Sequence, residues 1–213
     1  MKALVTGFEP FGGESVNPAL VAVLRLPPRL VALEIATAAL PSVFGRALAA
    51  LEDALVATRP DIVLCVGQAG GRTELSLERV AINVDDARIP DNDAQQPIDR
   101  PIVAGGPAAY FTGLPVKAAV LALREAGLPA IVSNTAGTFV CNHLFYGLMH
   151  LVATRQLPVR GGFLHVPYLP SQAAGLGGMP SMALDDIVQG IEIILRIAAS
   201  RTDDIATAEG AIA

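Results

Sequence analysis

Cysteine is scarce in this 213-residue chain: two thiols, Cys65 and Cys141, make no disulfide framework, and both are expected to stay reduced. Histidine is also scarce, and zinc is unsupported: there are three histidines and neither C-x-x-C nor H-E-x-x-H. The acidic run at 85–97 lacks the glycine and the terminal glutamate of an EF-hand loop, so it reads as a surface loop and no metal is expected. A net charge of −5 without any Lys/Arg cluster argues against a nucleic-acid surface and for a small or neutral ligand. No apolar run reaches the ~18 residues of a membrane span, and Met1–Gly7 lacks a signal-peptide core. A soluble, cytoplasmic protein is the expectation. The glycine fingerprints of nucleotide loops and the G-x-S-x-G elbow of serine hydrolases are also missing.

What is present is a core. Hydrophobic residues make up 52% of the chain, enough for one α/β domain that buries roughly 70% of its unfolded surface. Strand-like runs at 2–6, 31–37, 61–66, 75–83, 129–133 and 161–166 alternate with helical patterns at 17–25, 42–58, 115–126, 141–154 and 182–200. Such alternation predicts a twisted, largely parallel central sheet with helices on both faces. Irregular stretches at 7–16, 84–114 and 167–181 fall where α/β folds carry their sites, and 201–213 reads as a flexible tail.

Cys141 opens the helical pattern 141–154, with Leu144, Phe145, Leu148, Leu151 and Val152 on one face. A first-turn thiol feels unpaired N–H groups and the positive end of the helix dipole, which lowers its pKa and makes it a nucleophile. Inert packing is the competing reading, and for Cys65, inside the run Ile62–Val66, it is the favoured one. A nucleophilic thiol needs a base. His143 and His150 point about 200° and 180° away from Cys141 around the helix, whereas His165 ends the next strand and can reach the same sheet edge. Glu78, on a strand face with Ser76, Val80 and Ile82, needs a buried partner; ion pairing with Arg72, Arg79 or Arg88 competes with a role beside a histidine. Together Cys141, His165 and Glu78 can form a Cys-His-Glu triad. Phe8 and Phe11 either line a pocket in the first loop or plug the core beneath it, with Asn17 and Gln68 as polar contacts.

The segments TGFEPFGG (6–13), GQAGGR (67–72), ERVAIN (78–83), DARIPDN (86–92), SNTAGTFVCNHLFY (133–146) and HVPYLP (165–170) span nearly the whole chain. In this set and order it resembles the type I pyroglutamyl-peptidases, or pyrrolidone-carboxylate peptidases, which remove an N-terminal 5-oxoproline from peptides. The resemblance implies Cys141 as nucleophile, His165 as base and Glu78 as its orienting carboxylate. It implies Phe8, Phe11 and Phe139 in the apolar pocket, Asn17 and Gln68 in or beside it, and Arg88 as electrostatic support. No cofactor is implied, the substrates are N-terminally pyroglutamylated peptides, and a homotetramer is the expected assembly. Ala94 stands where family members usually have glycine. Two other readings keep the α/β pattern: a phosphorylase-like enzyme acting on nucleosides, which would need a phosphate site, and a non-catalytic small-ligand binder.

Overall fold

The most apolar runs become the inner strands. β1 (Lys2–Phe8), β4 (Ile62–Gln68) and β9 (Arg160–Val166) are buried over nearly their whole length, as strands covered on both faces must be. In the computed structural model, which describes residues 1–210, they form the middle of a seven-stranded sheet. Its order is β2-β3-β1-β4-β9-β5-β8, with β2 (Arg29–Leu30), β3 (Leu33–Leu40), β5 (Leu75–Glu78) and β8 (Ala130–Ser133) outside them. The run β3-β1-β4-β9 is parallel; β5 and β8 are parallel to each other but run against β9.

Period-two alternation sorts the strand side chains onto two cores. Ala3, Val5, Leu64, Val66, Leu77 and Leu164 face α1 (Pro18–Leu24), α3 (Val116–Glu125) and the long helix Leu184–Ser200. Leu4, Phe8, Val63, Cys65 and Phe163 face α2 (Arg46–Thr58) and α4 (Val140–Thr154). The predicted single α/β domain with helices on both faces is therefore the observed architecture.

One expectation changes. The run 75–83 is not one strand: β5 ends at Glu78, and β6 (Val80–Ile82) leaves to pair antiparallel with β7 (Ala109–Phe111) in a separate two-stranded sheet. Arg79 makes the corner, its N–H donating to the Ser133 carbonyl while its own carbonyl accepts from Thr112. Val80 and Ile82 therefore do not share a strand with Glu78. Residues 201–210 are irregular and make polar contacts with α3. Asp204 accepts from the N–H groups of Lys117 and Ala118 at the start of α3, and Glu209 bridges to Arg124 at 2.7 Å. A carboxylate on the free N–H groups of a helix start explains the hold. Residues 211–213 of the expected tail lie outside the described residues.

Candidate active site

The turn before α4 is built from small residues for a geometric reason. Gly137 adopts φ +75°, which side-chain-bearing residues resist, and its N–H donates to the Thr135 hydroxyl. Phe139 caps α4 without a side-chain bond, so the first-turn amides rely on other partners. Asn142 fixes where the helix starts: its Oδ1 accepts from the Ile82 N–H, and its Nδ2 donates to the carbonyls of Ile82 and Val84. One amide side chain thus takes the place of a missing strand neighbour for β6, and Cys141 is held in the first turn beside it. Sequence reasoning missed Asn142, although a poor helix former just after a candidate nucleophile is a usable signal.

Strand register supplies the rest. His165 lies opposite Gly67 on β4, while Glu78 lies opposite Phe163 on β5, two residues from His165 on the same face. The diagonal is closed by a bond of 2.7 Å between His165 Nδ1 and Glu78 Oε1. An Nδ1 engaged with a carboxylate leaves Nε2 as the second functional nitrogen. Gly67 leaves the adjoining space empty, and the Cys141 thiol occupies it: a Cβ on Gly67 would come within 2.8 Å of Sγ. Glu78 is fully buried. Its Oε1 also accepts from Arg72 Nη1 at 2.7 Å, and its Oε2 has no hydrogen-bond partner.

Cys141 and His165 line one cavity of about 490 Å³, together with Phe11, Gln68, Arg88 and Phe139. The Phe11 and Phe139 rings pack at 5.9 Å, and Phe44 meets Phe139 edge-on at 5.3 Å. Gln68 spends its Oε1 on Gln172 Nε2. Arg88 is exposed at the cavity rim. Tyr168, Glu14 and Arg72 also line it without having been expected there; Arg72 had entered only as a candidate ion-pair partner of Glu78. Two expected pocket residues do not line it. Phe8 is 3% exposed and packs on Phe163 in the core, because it shares a face with Leu4 on β1. Asn17 is the N-cap of α1, accepting from the Ala19 N–H and donating to the Glu9 carbonyl, so it holds the aromatic loop from behind.

The electrostatics at the thiol act in both directions. Burial, reinforced by the Glu78 carboxylate, pushes the Cys141 thiol up to about 12, while Arg72 and the residue's own backbone amide pull it down. Desolvation therefore opposes the pull of the helix start and favours the thiol form. Cys141 retains partial exposure toward the cavity, and water there softens the push. Cys65, fully buried, is also raised to about 12 and is inert packing.

The other imidazoles are engaged elsewhere. His143 Nδ1 pairs with Asp85 at 2.9 Å, and its Nε2 accepts from the Gly45 N–H. His150 Nδ1 bonds the Tyr110 hydroxyl at 3.0 Å. A second hollow of about 440 Å³, between the C-terminal ends of α2 and α4, is lined by residues such as Glu52, Arg59, Leu151 and Arg155 and has no cysteine or histidine in its wall. No group of three or more His, Cys, Asp or Glu among the described residues could hold a metal ion, and no described helix is long and apolar enough to cross a membrane.

A cysteine in the first turn of a helix, sharing a cleft at an α/β sheet edge with an imidazole that a buried carboxylate orients, is the constellation of a cysteine-type hydrolase. Comparison narrows the class: a family model for pyroglutamyl peptidase matches residues 1–201, and the chain belongs to that family. It is 58% identical over 208 residues to pyrrolidone-carboxylate peptidase 1 of Ralstonia nicotianae, covering 97% of each chain. The crystal structure of pyroglutamyl peptidase I from Bacillus amyloliquefaciens superposes with a TM-score of 0.94 at 50% identity, over 96% of this chain and 99% of that one. A variant of the pyrrolidone carboxyl peptidase of Pyrococcus furiosus gives 0.91 at 41% identity, over 94% and 99%.

Proposed function

We propose that the protein is a cysteine exopeptidase that hydrolyses the amide bond after an N-terminal 5-oxoprolyl residue, with Cys141, His165 and Glu78 as its triad. The observation that carries the reading is the His165–Glu78 bond of 2.7 Å in the cavity wall that also holds Cys141. His165 Nε2 takes the thiol proton as Sγ attacks the carbonyl, so the nucleophile is generated at the moment of reaction and is not stored as thiolate. The tetrahedral oxyanion forms beside the first turn of α4, where the Cys141 N–H has no helical partner and can donate. Collapse breaks the C–N bond, His165 passes its proton to the departing amine, and an acyl-enzyme remains. Water, deprotonated by His165, then releases 5-oxoproline and restores the thiol. Glu78 keeps Nδ1 protonated and compensates the imidazolium.

Selectivity follows from the walls. The uncharged lactam fits the apolar slot made by Phe11 and Phe139, and the Gln68 amide, its Oε1 already engaged, offers an N–H to the ring carbonyl. A free glutamyl residue would bring charges into that slot at a cost of several kcal/mol. The working enzyme is read as a cytoplasmic homotetramer, which light scattering on the purified protein tests. The reaction itself is tested by release of a fluorogenic amine from a 5-oxoprolyl amide, beside the glutamyl amide and Cys141→Ala. Turnover by the wild type alone, and only on the cyclic substrate, is the expected result; a folded, reduced wild type that releases nothing overturns the reading.

A further inference from the structure

The charge balance of the site has a fourth member. Arg72 reaches Glu78 Oε1 with Nη1 at 2.7 Å and the Thr135 carbonyl with Nη2 at 3.1 Å, so one guanidinium ties the carboxylate to the turn that leads into α4. The chain is shaped to deliver it. After β4 the Ala69 N–H bonds the Val166 carbonyl at the end of β9, Gly70 lies flat under the Tyr168 ring, where a Cβ would come within 2.2 Å, and Gly71 turns back with φ +91°. Only glycines permit that close approach and that turn, and together they return Arg72 over the buried carboxylate.

We propose that Arg72 is a positioning residue for the reaction, resting on the triad reading above: its charge neutralises Glu78, and its second bond, to the Thr135 carbonyl, holds the guanidinium over that carboxylate. The groups nearest Cys141 are Glu78 from β5, Cys65 from β4, His165 from β9 and Arg72 from the β4–β5 loop, and Glu14, Asp86, Arg88 and Tyr168 line the same cavity from the surrounding loops. When the thiol proton moves to His165, charges alternate as Arg72 plus, Glu78 minus, His165 plus and sulfur minus, so these four groups stay neutral as a set. Without Arg72 the other three carry a net negative charge before and after the transfer, and Glu78 and the thiolate repel each other in a desolvated site.

The test combines R72M, R72K, E78Q and the E78Q/R72M double variant, reading kcat and KM separately and the pH profile of Cys141 alkylation by iodoacetamide. R72M is expected to lose about 10²-fold in kcat with KM changed less than about threefold, the size of effect that misplacement of a reacting group produces. Its alkylation midpoint should move upward by about one pH unit, a shift that loss of packing alone does not produce. R72K, which keeps the charge but not the fork, should recover about tenfold of the kcat and most of the midpoint. In the E78Q background, adding R72M should cost less than about threefold, because there is no carboxylate left to neutralise. Wild-type kcat and alkylation profile in R72M, or equal losses with and without Glu78, overturn the proposal. If R72M does not fold, the E78Q and E78Q/R72M pair decides by the same criterion. Alkylation needs no substrate, so a protein inactive on 5-oxoprolyl amides refutes the peptidase reading, whereas an active one with an unmoved profile refutes only the role of Arg72.

Discussion

Gly67→Ala is the sharpest test of how the thiol is seated. The new methyl would stand 2.8 Å from Cys141 Sγ and 2.9 and 3.1 Å from two carbons of the Phe163 ring. Ordinary contacts lie near 3.5–4.0 Å, so sulfur and ring must each give way by roughly 0.5–1 Å. Phe163 is 1% exposed and cannot retreat freely, and its ring lies 4.8 Å from that of His165, so its movement also presses on the base. Overpacking of this kind costs about 1–3 kcal/mol, which lowers Tm by about 2–4 °C per kcal/mol for a chain of this size. A nucleophile misplaced by about 1 Å costs about 10²-fold in rate. The assay is kcat/KM on a 5-oxoprolyl amide beside a thermal melt, with Gly161→Ala as control. At Gly161 a Cβ would crowd Leu148 at 2.9 Å and Met149 at 3.0 Å, remote from the thiol. G161A should melt earlier but keep its kcat; G67A should lose both. Full turnover in G67A, or equal loss of kcat in the control, would refute the seating argument.

Two further outcomes concern Asn17 and Cys65. Asn17→Ala removes the cap on the Ala19 N–H and leaves the Glu9 carbonyl with the Ser42 hydroxyl as its side-chain donor, so it should cost about 0.5–2 kcal/mol and raise KM more than it lowers kcat, because the loop carrying Phe11 loosens; a fall in kcat at unchanged KM would count against the loop-holding role. Cys65 has a folded pKa of about 12 against an ordinary value of 9.0, so between those pH values the unfolded chain gives up a proton that the folded one keeps, and stability falls as pH rises. Urea titrations between pH 8 and 10.5 should therefore show a shallower decline in Cys65→Ala than in the wild type, by up to about 1.4 kcal/mol per pH unit above pH 9, and identical slopes would refute it.

The inner strands were legible because β1, β4 and β9 are apolar on both faces, a pattern that survives any arrangement of neighbours. Helix α4 was legible from its periodicity, and with it the place of Cys141 in the first turn. Other features depend on partners the sequence does not display. The choice between Phe8 and Phe11 turned on which of them continues β1, since the last strand residue enters the core and the loop residue is free to line a cavity. The state of the thiol depended on how much water α4 loses against β4, a quantity set by packing and not by helix position. Ala94 keeps φ +60° where glycine would be easier, because the Asp91 carboxylate accepts from the N–H groups of Phe44, Asp93 and Gln95 and holds the loop against that strain.

The direction of β5 is the feature on which the site's assembly turns, and it could have been inferred. Only residues 69–74 separate β4 from β5, too few for the crossover that a parallel pair needs, so β5 must run against β4. With β9 lying between them, the short connection has to pass over the carboxyl end of β9, where the Ala69 N–H meets the Val166 carbonyl. Three consequences come together at that edge. The loop brings Arg72 to the cavity, the reversed strand runs inward until Glu78 sits diagonally from His165, and Gly67, at the end of β4, leaves the gap that the thiol fills. A parallel β5 of the same length, starting from the opposite edge, would bring Glu78 toward the cavity only at the end of a long crossover and would leave no loop from which an arginine could reach it. The segment 67–72 therefore serves as thiol seat, pocket wall and charge carrier at once, and a substitution within it should disturb catalysis more than its distance in sequence from Cys141 suggests.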